Sequence, residues 1–225
     1  MNILITGANR GIGLGFVNHY LAKNYDVWAC YRRDAGELMA IKNDKLHLLE
    51  WDVSQSFPAD VSQPLPETID VLINNAGIYG PASGAGQTLE SVSDTTLHDV
   101  FDIDCLGAIR VVQCLLPAIK KGKGVIANLS SKMGSSEDNS SGGCYAYRAA
   151  KAALIIVSKS MAVDLKPSDV HVITLHPGWV RTDMTDHSGL IDVQQSVAGM
   201  ADVILHSEDY EPGAFIAFDG NVIPY

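Results

Sequence analysis

The chain has 225 residues, 47% of them hydrophobic, and a formal net charge of -10. That length suits one well-buried α/β domain, and the hydrophobic content excludes global disorder. The acidic balance argues against a nucleic-acid or anionic-membrane surface. No stretch approaches the ~18 uninterrupted apolar residues of a membrane span, so no membrane partner is expected.

In chain order, short apolar runs alternate with amphipathic stretches. The apolar run at 3–5 predicts a strand, and residues 11–24 predict a helix. A second strand is expected at 27–31, a helix at 34–43 and a third strand at 46–51. A fourth strand is expected at 69–73 and a long helix at about 95–120, ending near Lys121-Gly122. Further on come a fifth strand at 124–129, a helix at 145–165 closed by Lys166-Pro167, and a sixth strand at 170–175. A helix at 192–206 and a seventh strand at 214–218 complete the pattern. Near-continuous apolar strands alternating with helices imply a buried parallel sheet covered on both faces. The expected fold is therefore α/β, a three-layer doubly wound Rossmann fold with a seven-stranded parallel sheet, in a single domain over residues 1–225. Segments 54–68 and 134–143 read as loops.

Four cysteines, Cys30, Cys105, Cys114 and Cys144, show no metal-ligand spacing. No metal is expected, and free thiols in a cytoplasmic protein are the expectation. Residues 1–7 carry no basic flank and no small-residue cleavage site, so they read as a strand and not as a targeting segment.

The first strand runs directly into TGANRGIG, residues 6–13. A tight strand-to-helix turn needs a residue without Cβ, and close approach of a pyrophosphate to main-chain N–H groups needs another. The helix that follows offers its positive end to the phosphates. Gly7, Asn9, Arg10, Gly11, Ile12 and Gly13 form this candidate dinucleotide cradle. The second strand ends Cys30-Tyr31-Arg32-Arg33, with no acid at its tip. A ribose 2′-hydroxyl is usually held by a carboxylate there, whereas a 2′-phosphate wants Arg. Arg32, with Arg10 from the glycine turn, favours NADP(H) over NAD(H); otherwise Arg32 and Arg33 are solvated loop residues. Asp52 after the third strand is placed to accept from an adenine amino group with Val53 packed on the ring, or to cap a following helix.

Tyr147 and Lys151 stand four apart in a helical stretch and share one face. A lysine ammonium favours the phenolate and brings tyrosine toward the range of a useful acid–base group. The fifth strand ends in Asn128-Leu129-Ser130-Ser131, and a serine there can hydrogen-bond a substrate oxygen as charge develops. Tyr145 stands six residues from Lys151 and off that face.

TGANRGIG, Asp52-Val53, NNAG (74–77), Ser131, Tyr147-x-x-x-Lys151 and Pro177-Gly178, in this order along the chain, resemble the short-chain dehydrogenase/reductase family over essentially the whole chain. NSSGGCYAYRAAKAAL (139–154), HPGWVRTDM (176–184) and FDGNVIPY (218–225) resemble its sniffer-type carbonyl reductase and C-factor branch. The resemblance implies that Tyr147 is the general acid/base. Lys151 holds the nicotinamide ribose, and Ser131 orients the carbonyl. Asn75, Ala76 and Gly77 line the cofactor site, and Pro177, Gly178, Val180 and Thr182 contact the nicotinamide end. It also implies pairing through the two long helices, so a homodimer or homotetramer is expected. One position departs from the pattern: Asp104 stands where the family usually carries Asn, adding a carboxylate that would draw Lys151 away from Tyr147.

The expected activity is NADP(H)-dependent hydride transfer between nicotinamide and a small-molecule carbonyl or alcohol, of the carbonyl reductase type. The alternative is a dinucleotide-binding signalling or regulatory protein with weak or vestigial catalysis. The intact Ser131, Tyr147 and Lys151 argue for the enzyme. The short run between Met184 and the helix near 192 implies a small lid and an open substrate site.

Overall fold

The computed structural model describes residues 1–58, 64–81 and 86–225. Seven strands form one sheet: β1 (Asn2–Ile5), β2 (Asp26–Tyr31), β3 (Leu46–Glu50), β4 (Val71–Asn74), β5 (Val125–Leu129), β6 (His171–His176) and β7 (Phe215–Ala217). Their order is β3-β2-β1-β4-β5-β6-β7 and every pairing is parallel. The helices are α1 (Gly11–Ala22), α2 (Asp94–Phe101), α3 (Gly107–Gly122), α4 (Tyr145–Leu165) and α5 (Val193–Leu205). This is the three-layer doubly wound architecture that the alternating pattern predicts.

Side chains alternate across a strand, so β1 feeds both layers. Ile3 and Ile5 pack with Phe16 and Val17 of α1 and Val197 and Met200 of α5. Leu4, between them, joins Val111, Leu115 and Ile119 of α3 and Ala162 and Leu165 of α4. Each fully buried Leu or Ile of this kind contributes on the order of 1.5–3 kcal/mol. Strand order reverses direction at β1, so a crevice opens at the carboxyl ends of β1 and β4.

Two expectations are corrected. Residues 34–43 do not form a helix; they hold a single tight 3₁₀ turn, Gly36–Ala40. Gly36 adopts φ +54°, and the Asp34 carboxylate accepts its N–H at 2.9 Å. A side chain that captures the local backbone in this way competes with helix formation. The long helix is also interrupted. Between α2 and α3 the chain passes through one π turn, Asp102–Leu106, in which the Gly107 N–H reaches back five residues to the Asp102 carbonyl. The Arg110 guanidinium braces it, bonding the Asp102 carboxylate at 2.5 Å and donating to the Asp102 and Val53 carbonyls. Single π turns concentrate at functional sites, and this one contains Asp104.

Among the described residues, no helix is long and apolar enough to cross a membrane.

Candidate active site

The crevice is a cleft of about 610 Å³. At its floor, Gly7 and Gly11 adopt φ +62° and +54°, in the left-handed region that glycine enters without penalty. A Cβ on Gly7 would come within 2.8 Å of the Ala76 Cα. The first turn of α1 has no side-chain cap, so its leading N–H groups are free for an anion. Asn75 staples this turn to the end of β4, its amide donating to the carbonyls of Thr6 and Gly7, both at 2.9 Å. The buried Thr6 hydroxyl accepts from the N–H groups of Asn75 and Ala76 at 3.1 and 3.0 Å. Thr6 is a structural member of the site that motif reading passed over, although it opens the TGANRGIG run.

Of the expected cofactor residues, Gly7, Asn9, Arg10, Gly11, Ile12, Arg32, Asp52, Val53, Asn75, Ala76, Gly77 and Thr182 line the cleft. Gly13 does not. It packs against the Gly7 carbonyl and lies so close to the Asn75 amide that a Cβ would approach within 2.6 Å. It therefore lets the turn close. Pro177, Gly178 and Val180 also stand behind the lining. The Pro177 carbonyl accepts from Ser196 at 2.6 Å, the Val180 carbonyl accepts from Thr185 at 2.6 Å, and Gly178 packs against Ile191 and Phe218.

Arg10 and Arg32 share the cleft with Arg33, Asp34 and Glu37. Arg10 pairs with Asp183 at 3.4 Å in solvent, an arrangement worth roughly 0–1 kcal/mol and readily given up to a phosphate. Asp34 is turned aside: its carboxylate holds Gly36 and its carbonyl accepts from Asn9. Asp52 does not cap a helix. Its carboxylate accepts from the Ser54 N–H and hydroxyl at 3.0 and 2.8 Å, and residues 53–55 form a turn in place of a helix. The cradle, the uncapped helix end and the two guanidinium groups fit a phosphorylated dinucleotide.

The second half of the site lies where β5 and α4 meet. The Ser131 hydroxyl accepts from the Met133 N–H at 3.2 Å and stands near the Tyr147 side chain. The Lys151 ammonium stands 5.6 Å from the centre of the Tyr147 ring and donates to the Leu129 carbonyl at 3.0 Å. The Ser130 hydroxyl donates to the Lys151 carbonyl at 2.8 Å, tying α4 to the end of β5. Gly134 permits this approach, since a Cβ there would come within 2.7 Å of the Lys151 carbonyl carbon. Tyr145 points away and is exposed.

Asp104 reaches Lys151 at 3.2 Å and accepts from the Ile78 N–H at 2.7 Å. Burial holds its carboxyl above the usual carboxylate range, and Lys151 and the Ile78 N–H offset this only in part. Burial alone would lower Lys151, yet Asp104 and Tyr147 more than offset it, so Lys151 is held above its usual range and remains protonated. Tyr147 departs from expectation. Burial raises its hydroxyl, Lys151 lowers it, Asp104 raises it, the Ser131 hydroxyl lowers it, and the net direction is upward.

Around Tyr147 the structure adds groups that spacing did not reveal. Tyr79 packs its ring 4.9 Å from the Tyr147 ring and exchanges a hydrogen bond with the Cys144 thiol at 2.8 Å. Gln87, fully buried, donates to the Tyr79 carbonyl at 2.5 Å and accepts from the Tyr147 N–H at 3.4 Å. Cys144, the residue before α4, supplies no side-chain cap, so Gln87 takes on that role from outside the helix. Residues 82–85 lie outside the described residues. Trp179, Met184 and Leu190 are exposed, and Met184 also lines the cleft.

The chain matches the short chain dehydrogenase family over residues 1–190. It is similar to the carbonyl reductase Sniffer of D. melanogaster, with a TM-score of 0.89 and 32% identity, covering 100% of this chain and 99% of that one. It is similar to an NADPH-bound carbonyl reductase from chicken fatty liver, with a TM-score of 0.84, 28% identity and 100% and 98% coverage. The C-signal of Myxococcus xanthus is 39% identical over 158 residues, 70% of this chain and 93% of that protein.

Proposed function

The chain belongs to the short-chain dehydrogenase family and is an NADP(H)-dependent oxidoreductase; we propose that residues 1–225 form one domain that interconverts a small carbonyl compound and its alcohol. The observation that carries this reading is the convergence of Ser131, Tyr147 and Lys151 behind the dinucleotide cleft, with the Lys151 ammonium 5.6 Å from the Tyr147 ring centre.

The glycine turn and the end of α1 hold the pyrophosphate through main-chain N–H groups. Arg10 and Arg32 close on a 2′-phosphate. Asp52 takes the adenine amino group and Val53 packs on the ring. Asn75, Ala76 and Gly77 support the ribose side, and Thr182, backed by Pro177, Gly178 and Val180, bounds the nicotinamide end. When bound, NADPH supplies hydride to the carbonyl carbon. Ser131 donates to the carbonyl oxygen and orients it. Tyr147 delivers its hydroxyl proton to the same oxygen as negative charge develops there. Lys151 holds the ribose, and Asp104 shares the pull that Lys151 exerts on the tyrosinate left behind. Asp104, paired with Lys151, is part of this machinery.

The exposed Trp179, Met184 and Leu190 support an open, permissive substrate mouth. Exposed Phe101 on α2 and Ile156 and Val163 on α4 support a homodimer or homotetramer paired across that face. The free thiols support a cytoplasmic setting. The likeness to C-signal favours a second reading, a dinucleotide-binding signalling protein with little turnover. A fluorescence titration with NADPH and NADH, followed by consumption assays on aldehydes, ketones and quinones, separates the two. Tight NADPH binding with turnover is the expected result. Tight binding with no turnover on any carbonyl would leave only the signalling reading.

A further inference from the structure

We infer that Asp104 is a positioning residue that holds Lys151 in a closed ion pair, so that Lys151 lends Tyr147 less net positive charge and Tyr147 rests as the phenol, the form that gives a proton to a carbonyl. The inference rests on the reading of Tyr147 as the acid–base group. The Lys151 ammonium is 3.2 Å from the Asp104 carboxylate and 5.6 Å from the Tyr147 ring centre. Both members of the pair are buried, so water does not screen them. A lone ammonium would act on the phenol as a full charge. A closed pair acts as a dipole, whose field falls off faster with distance.

The other charged and titratable groups near Tyr147 do not replace the lost charge. On α4, Arg148 turns its guanidinium to the Met133 carbonyl and the Ser141 hydroxyl, at 3.0 and 2.9 Å. Cys144 gives its thiol to Tyr79. From the loop after β4, Tyr79 is itself pushed up to about 12 by burial and by the Cys144 bond. From the π turn, burial raises the Cys105 thiol. Ser131 contributes a neutral hydroxyl. Lys151 and Asp104 are therefore the charges that decide whether Tyr147 is phenol or phenolate. Burial, with Asp104 offsetting part of the pull of Lys151, keeps it phenol.

The carboxylate is not needed to satisfy the backbone. An Asn at this position has the same shape, and its carbonyl oxygen can accept the Ile78 N–H. It would leave Lys151 bonded to Leu129 and uncompensated.

The test is an ultraviolet pH titration of tyrosinate in the cofactor-free protein, taken as the difference between each protein and its Tyr147→Phe counterpart. Asp104→Asn is expected to move the Tyr147 midpoint down by about one pH unit, the low end for gaining an unopposed neighbouring charge. A midpoint that stays in place or moves up in Asp104→Asn overturns the inference. If the Asn variant does not fold, Asp104→Ser removes the same charge with a smaller group and must show the same downward shift. The titration needs no turnover, so a failure of the hydride-transfer reading appears in the carbonyl assay and not here.

Discussion

Arg10 and Asp183 form an ion pair at the mouth of the cleft with side chains 68% and 64% exposed. Lys151 and Asp104, behind Gly77, form another with side chains 6% and 0% exposed. The outer pair is bathed in high-dielectric solvent and can open at little cost. The inner pair exists in a dry site where an unpartnered charge would be expensive, so neither member is free to leave. In the proposed reading the nucleotide end binds with main-chain N–H groups and exposed surface charges. The chemical end works through buried side chains whose ionisation is set by their neighbours. Binding and catalysis should then be separable by mutation.

The largest effect should follow from Tyr147→Phe, which keeps the ring against Tyr79 and removes only the hydroxyl. Carbonyl reduction should fall by about 10²–10⁴-fold, while NADPH titration gives an affinity near that of the wild type. A comparable loss of affinity would break the separation between the two ends.

Acid stability should belong to the inner end as well. His176, at the end of β6, accepts the Lys132 N–H at 3.3 Å, next to Ser131. Burial, then Lys132, depresses it from 6.5 to about 4. A base whose folded value lies below its unfolded one takes up protons first in the unfolded chain, so folding stability falls as pH drops from about 6.5 toward 4. A shift of that size corresponds to about 3 kcal/mol. Urea melts at pH 7 and pH 4.5 should show much of this loss in the wild type and a flatter profile in His176→Gln. Equal losses in both would remove His176 from the account.

Arg32→Ala should weaken NADPH binding by about 10–100-fold, the contribution of charged hydrogen bonds to a phosphate, with NADH binding little changed. Equal weakening of both would show that Arg32 does not read the 2′-phosphate. The smallest effect is expected at Asp183→Asn, which frees Arg10. NADPH affinity should rise by less than about fivefold, the limit set by an exposed pair. A loss of affinity would mean that Asp183 positions Arg10 and does not compete for it.

Much of this was legible before the structure. The strands at 3–5, 27–31, 46–51, 69–73, 124–129, 170–175 and 214–218 lie within two residues of their observed bounds, because fully buried parallel strands write themselves as apolar runs. The glycine turn was legible because left-handed backbone demands residues without Cβ. The failures share a cause. Residues 34–43 carry helix formers such as Glu37, Leu38 and Met39, yet Asp34 takes the Gly36 N–H and ends the helix before it starts. Gly13 belongs to the motif, but its position behind the cleft depends on how close Asn75 comes from a strand 60 residues away. The π turn leaves no composition signal.

The sequence by itself determined the layer order, the dinucleotide turn and the Tyr147–Lys151 pairing, since each depends on local periodicity or on backbone conformations only certain residues adopt. The resemblance offered Asp104 as a competitor for Lys151, and the tertiary structure decided how close the two come. Spacing on α4 brings Lys151 to Tyr147, but the π turn after α2 brings Asp104 closer still. A charge between two partners answers to distance and burial, and both are set by segments far apart in the chain.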